Sequence, residues 1–145
     1  MAEGLMLEVV TPEREVVRAE SVAEVQLPAL SGYLGILPGH TPLLTELGIG
    51  PLIYKKESQS GYIAVIGGFA EVLPERVTVL AEKAERSEDI DEARARTDLA
   101  EAEKKLNSGS ADPNTDWDAV LKSVASARAR LEAATHGAID AHRET

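Results

Sequence analysis

The chain contains no cysteine. That removes disulfides, thiolate nucleophiles and cysteine-ligated metals together. Aromatic residues make up only 3% of its 145 residues, so a core must be built from Val, Leu, Ile and Ala. No apolar run approaches the ~20 residues that a membrane-spanning helix needs. Met1 to Val10 lack the basic start and apolar run of a secretory signal, so the chain is expected to stay inside the cell. Any link to a membrane then goes through other proteins. Positive charge is scarce too. Lys and Arg number 15 against 25 Asp and Glu, a formal net charge of -10. With no basic run to override it, that balance repels phosphate backbones and anionic lipid, which argues against nucleic acid as a partner.

What remains is 43% hydrophobic, enough for one ordinary domain or two small ones. The chain changes character near Ala84–Ser87, which divides it into 1–86 and 87–145. In the first part Leu5, Leu7 and Val9 alternate with Met6, Glu8 and Val10, a period of two. Val25 and Leu27 alternate around Gln26, and Tyr62-Ile63-Ala64-Val65-Ile66 runs unbroken into Gly67-Gly68. Phe69 to Leu73 and Val77 to Leu80 follow, separated by Pro74-Glu75-Arg76. Six to ten short strands spaced by turn residues predict an antiparallel β-sandwich or barrel.

After Ser87 the period becomes helical, and no proline interrupts it before Pro113. Asp89 with Glu92 reads as a capping box, and Thr115 with Asp118 as a second. Ala95, Leu99, Ala102 and Leu106 form one apolar stripe; Trp117, Val120, Val124, Ala127, Leu131 and Ala134 form another. The polar run Asn107 to Asn114 is the turn between them. Two helices of similar length, so joined, predict an antiparallel α-helical hairpin. Its Ala-rich stripes are thin, so the hairpin is expected to be loosely held and able to move.

Candidate chemistry is sparse. His40 is the only histidine in the strand region and has no carboxylate or nucleophile beside it except Thr41. A structural hydrogen bond or a partner contact fits it better than general-base catalysis. His136 and His142 lie six apart, off the spacing of a helical metal pair, and no third ligand is evident. No Gly-rich phosphate loop occurs.

The densest signal is Ser31-Gly32-Tyr33-Leu34-Gly35-Ile36-Leu37-Pro38-Gly39-His40-Thr41-Pro42-Leu43-Leu44, with three Gly and two Pro among its apolar residues. A flexible linker would be polar, so this is a shaped, partly buried loop. It resembles the signature of the epsilon subunit of F-type ATP synthases (delta in mitochondria). Gly67-Gly68-Phe69-Ala70-Glu71-Val72, Val77-Thr78-Val79-Leu80-Ala81 and Ile90-Asp91-Glu92-Ala93-Arg94-Ala95 extend the resemblance over nearly the whole chain.

The resemblance implies an α+β chain: a β-sandwich over 1–86 that binds the stalk and the c ring, then a regulatory hairpin over 87–145 with a polar tail. It implies a non-catalytic central-stalk subunit that couples c-ring rotation to ATP synthesis. Its partners would be the gamma subunit, the c ring and, when the hairpin extends, the catalytic head. The place implied is peripheral, on the cytoplasmic face of a bacterial plasma membrane or the equivalent side of another energy-transducing membrane. Tyr33, Leu34, Ile36, His40 and Leu43 are the expected partner contacts. Many relatives carry an acidic residue at the position of Tyr33, so a stacking or apolar contact replaces a salt bridge there.

No cofactor is required, but Ile90, Asp91, Arg94 and Ala95 fit a motif of relatives that bind ATP as a regulatory ligand. Arg130 matches the second of two phosphate-binding arginines in those relatives, whereas Ser126 stands where the first would be. Losing that donor implies weaker, millimolar ATP binding, by roughly 1.5–3 kcal/mol for a charged hydrogen bond. A free-standing nucleotide sensor and a coiled-coil adaptor are the other readings of the composition, and neither gives a reason for the Gly32–Leu44 loop.

Overall fold

Leu5, Leu7 and Val9 are fully buried while Met6, Glu8 and Val10 are not, so the period of two is that of strand β1 (Leu5–Val10). A computed structural model describes residues 4–109 and 112–143. After β1 come β2 (Glu15–Val22), β3 (Glu24–Ala29), β4 (Gly32–Ile36), β5 (Leu43–Lys56), β6 (Gln59–Leu73) and β7 (Arg76–Arg86). They form one seven-stranded sheet in the order β2-β1-β7-β6-β5-β3-β4. The sheet closes over a shared core of Leu5, Leu7, Val25, Leu27, Ile36, Leu52, Ile63 and Val72. That is the sandwich the pattern predicts. Its pairing departs from purely antiparallel at one place, where β1 runs parallel to β7. A parallel neighbour cannot be joined by a tight turn, and here β2 to β6 supply the long connection.

Gly67 and Gly68, at φ +69° and +121°, do more than end a strand. Before them the odd residues Ile63 and Val65 face the core; after them the even residues Ala70 and Val72 do. The same change of parity runs through β5, from Leu47 to Leu52, and through β7, from Ala81 to Ala84. The first half of β6 is therefore covered on both faces, which is why Tyr62 to Ile66 reads as an unbroken apolar run. In the second half, one face is left outside.

The face opposite the core is covered by a helix. Ser87–Asp89 form one 3-10 turn, followed by α1 (Glu92–Ser108) and α2 (Trp117–Arg143). The hairpin is there, but its helices differ in length, 17 residues against 27. Both caps lie away from the expected residues. The Asp91 carboxylate accepts from the Arg94 amide at 3.1 Å, and the Asp116 carboxylate from the Ala119 amide at 3.1 Å. Asp89 instead accepts from the Arg86 guanidinium at 3.0 Å, and the Thr115 hydroxyl donates to the Asp112 carbonyl. An Asx cap needs only the residue just outside the first turn, and an aspartate one or two positions further on meets that condition better.

The helix α2 is the middle layer, packed on α1 by one face and on β5 and β6 by another. Val120, Val124, Ala127 and Ala134 of the expected stripe are buried, and Trp117 is exposed at the helix start. Ala129 and Ala133, outside that stripe, are also buried. Ala64, Ile90, Ala95, Ala133 and Ala134 make a second small core where sheet, turn and both helices meet.

Candidate partner interface and hairpin seam

The loop between β4 and β5 is shaped from within. Its Gly39 amide donates to the Pro74 carbonyl at 2.7 Å, and the His40 amide to the Leu37 carbonyl at 3.1 Å. His40 Nδ1 donates to the Thr41 carbonyl at 2.6 Å, a local structural hydrogen bond. Tyr33 is 54% exposed, but its hydroxyl donates to the Pro51 carbonyl at 2.8 Å across the sheet. The hydroxyl lies where a side chain on residue 50 would have to go, and Gly50 leaves the space. Burial first, and then the negative charge of Glu132 on α2, raise the Tyr33 phenol above its ordinary value.

The five expected contacts therefore divide. Tyr33 and Leu43 are exposed and His40 is half-buried. Ile36 is fully buried in the main core, so it is not free to meet a partner, and Leu34 packs against that core while staying partly exposed. The reason is the pleat: in β4, Leu34 and Ile36 share the inward face, whereas Tyr33 and Gly35 point outward.

A second surface escapes the sequence reading. Cross-strand register places Val10 beside Leu80, Leu80 beside Phe69, and Phe69 beside Glu46. The Leu30 amide donates to the Glu46 carbonyl, which brings Leu30 to the end of the same row. Leu30 is 67% exposed, Leu80 56%, and Phe69, the only phenylalanine of the chain, 51%. Leu44, one row away, is 71% exposed. A shallow groove of 390 Å³ lies among Val10, Pro12, Phe69 and Leu80. The signal was in the sequence: with Val77, Val79, Ala70 and Val72 facing inward, Phe69 and Leu80 have the outward parity.

The hairpin seam buries Ile90 and Ala95 of the expected nucleotide residues, half-buries Arg130 and leaves Asp91 and Arg94 exposed. Ile90 and Ala95 are buried against Ala133 and Ala134. Asp91 caps α1. Arg94 is exposed and 3.9 Å from Asp98 on its own helix. Arg130 Nε donates to Glu85 Oε1 at 2.8 Å, and its Nη1 to Asp98 Oδ2 at 3.4 Å. Ser126 lines a 560 Å³ cavity between β7 and α2, together with Lys83, Glu85, Lys122 and Arg130. In this closed arrangement Ala95 offers no room, and the Arg130 fork faces carboxylates.

Among the described residues no group of three His, Cys, Asp or Glu is placed to hold a metal ion. His136 instead stacks on Tyr62, ring centroids 5.8 Å apart, and the His142 side chain lies outside the described residues. No described helix is long and apolar enough to cross a membrane.

Comparison with known proteins matches this geometry in both halves. The family model of the ATP synthase delta/epsilon chain beta-sandwich domain matches residues 4–87, and that of the delta/epsilon long alpha-helix domain matches 88–135. The chain is 50% identical to the ATP synthase epsilon chain of Koribacter versatilis (strain Ellin345), over 73% of this chain and 74% of that one. It is 54% identical to the ATP synthase epsilon chain of Solibacter usitatus (strain Ellin6076), over 72% and 78%. Among solved structures it is similar to a chain in the Euglena gracilis mitochondrial ATP synthase with its c-ring. That match has a TM-score of 0.76 and 26% identity, covering 92% of this chain and 82% of that one. A chain from the central stalk and c-ring of the Tetrahymena thermophila mitochondrial ATP synthase shares the fold, with a TM-score of 0.60 and 18% identity over 90% and 96%.

Proposed function

The chain belongs to the ATP synthase delta/epsilon family, and on that premise we propose that it is a non-catalytic central-stalk subunit of a rotary proton-transporting ATP synthase. The match of both halves, in order, to the family's two domain models carries the reading. The sandwich is the attachment part, joining the gamma subunit and the c ring. It sits peripherally, on the side of the energy-transducing membrane that carries the catalytic head, and in a bacterium that side is the cytoplasmic one.

The geometry supports this division of labour. A coupling part must be stiff and must hold its neighbours, and it needs no titratable centre. The Gly39–Pro74 and Tyr33–Pro51 hydrogen bonds stiffen the signature loop. The row of Val10, Leu80 and Phe69, with Leu30 beyond Glu46, puts apolar surface on the outer face, the kind of surface that a partner covers. The hairpin is the regulatory part: lifting α2 would uncover Ala64 and Ala133, and an extended helix must bury its apolar faces against the catalytic head.

Assembly tests the reading. Phe69→Asp and Leu80→Asp change outward-facing residues and should leave the fold intact. Each would place an unpaired charge in the interface, at a cost of several kcal/mol. Co-purification with the gamma subunit and c ring should be lost in these variants and kept in Leu121→Asp, on the exposed side of α2. Retention of the complex by both sandwich variants would overturn the placement.

A further inference from the structure

Arg130 differs from the other ion-paired cations described in the hairpin. Lys122 reaches Glu82 at 3.7 Å and Arg128 reaches Glu103 at 3.4 Å, but these pairs are well exposed and screened. Arg94 and Arg96 pair within their own helix. The Arg130 side chain is only 21% exposed and ties three elements together, α2 to Glu85 of β7 and to Asp98 of α1. The contact with Glu85 is two-pronged, Nε to Oε1 at 2.8 Å and Nη2 to Oε2 at 3.5 Å, the geometry in which a guanidinium fork is most specific.

Two turns further on, α2 is pinned again. His136 stacks on Tyr62 of β6, and Gly137 lies so close to Ser87 that any side chain there would collide with it. Between these points Ala133 and Ala134 close over Ala64, Ile90 and Ala95. Residues 130–137 are thus the docking segment of the hairpin, with Arg130 as its charged end.

We propose that Arg130 is an internal latch that holds the hairpin closed on the sandwich without nucleotide, with Glu85 and Asp98 as its anions. A polyphosphate reaching for this guanidinium would have to displace both carboxylates. It would then leave them partly buried, without their counter-charge and beside its own negative charge. The proposal rests on the hairpin being a movable part, and its test reads hairpin position alone, so failure of the latch leaves the assignment to the stalk intact.

The chain has no cysteine, so Glu75→Cys in the β6–β7 turn and Leu121→Cys on α2 place two spin labels at exposed sites on the full chain. The parent should give one narrow distance, unchanged by several millimolar Mg-ATP. Arg130→Ala should move the open form from a minor state, below about 10% of molecules, to a major one with a longer, broad distance. The exchange Arg130→Glu with Glu85→Arg, made together with Asp98→Asn so that no carboxylate is left facing the new one, should restore the narrow distance, which also covers the case in which Arg130→Ala fails to fold. A parent that is open until ATP is added would overturn the latch. So would a closed Arg130→Ala variant, or a folded charge exchange that stays open.

Discussion

Tyr33 shows how a single side chain can stand at a surface and still work inward. Its hydroxyl donates to the Pro51 carbonyl, and so holds β4 across β3 to β5. Tyr33→Phe keeps the ring and removes this hydrogen bond, and should lower unfolding free energy by about 1 kcal/mol in a denaturant titration. The phenol also titrates with a sign. Its folded value is raised above 10.0, so the folded state binds the proton more tightly than the unfolded chain does. This contribution is complete below about pH 10 and is lost as pH rises through the folded value. The alkaline loss of stability should shrink in Tyr33→Phe. Gly68 makes a sharper case: at φ +121° a Cβ would run into the Leu80 carbonyl. Gly68→Ala should cost about 2 kcal/mol or more, read as a lower thermal midpoint. The sequence showed that the loop is shaped and that His40 suits a hydrogen bond. It did not show which way Tyr33, Leu34 and Ile36 point, because their parity depends on a register fixed by strands distant in the chain.

At the scale of elements, strand and helix were legible wherever one face is apolar and the other is not. Leu5, Leu7 and Val9 declare β1, and Val120, Val124 and Ala127 declare α2. The failures have a common cause. Alanine marks no face strongly, so the second buried side of α2, at Ala129 and Ala133, was hidden among the other alanines of the helix. The parity change at Gly67-Gly68 was hidden too, since an unbroken apolar run carries no period. Caps were legible in kind but not in position. Asp91→Ala should cost about 1 kcal/mol of stability by removing the acceptor of the Arg94 amide. The same change at Asp89, exposed and outside the helix, should cost less. Comparing the two by helical circular dichroism during denaturation distinguishes the caps.

For the whole molecule, the large core and the small one are placed in different halves. The sandwich shares one continuous core, and the hairpin is joined to it by a small cluster rich in alanine, the Arg130 fork, the Lys122–Glu82 pair and the His136–Tyr62 stack. Because β7 runs to Arg86, a chain ending there retains every strand and the full signature loop. It loses the cover over Tyr62 and Ala64, which one helix face supplied. Such a chain should still fold and still join the rotor. The most direct measurement is therefore ATP hydrolysis and ATP synthesis by the assembled enzyme, with the full chain and with the chain ended after Arg86. A stalk subunit with a regulatory hairpin predicts that the shortened chain is retained in the complex, that synthesis changes little and that hydrolysis rises. Loss of the shortened chain from the complex, or hydrolysis unchanged at low proton-motive force, would contradict it.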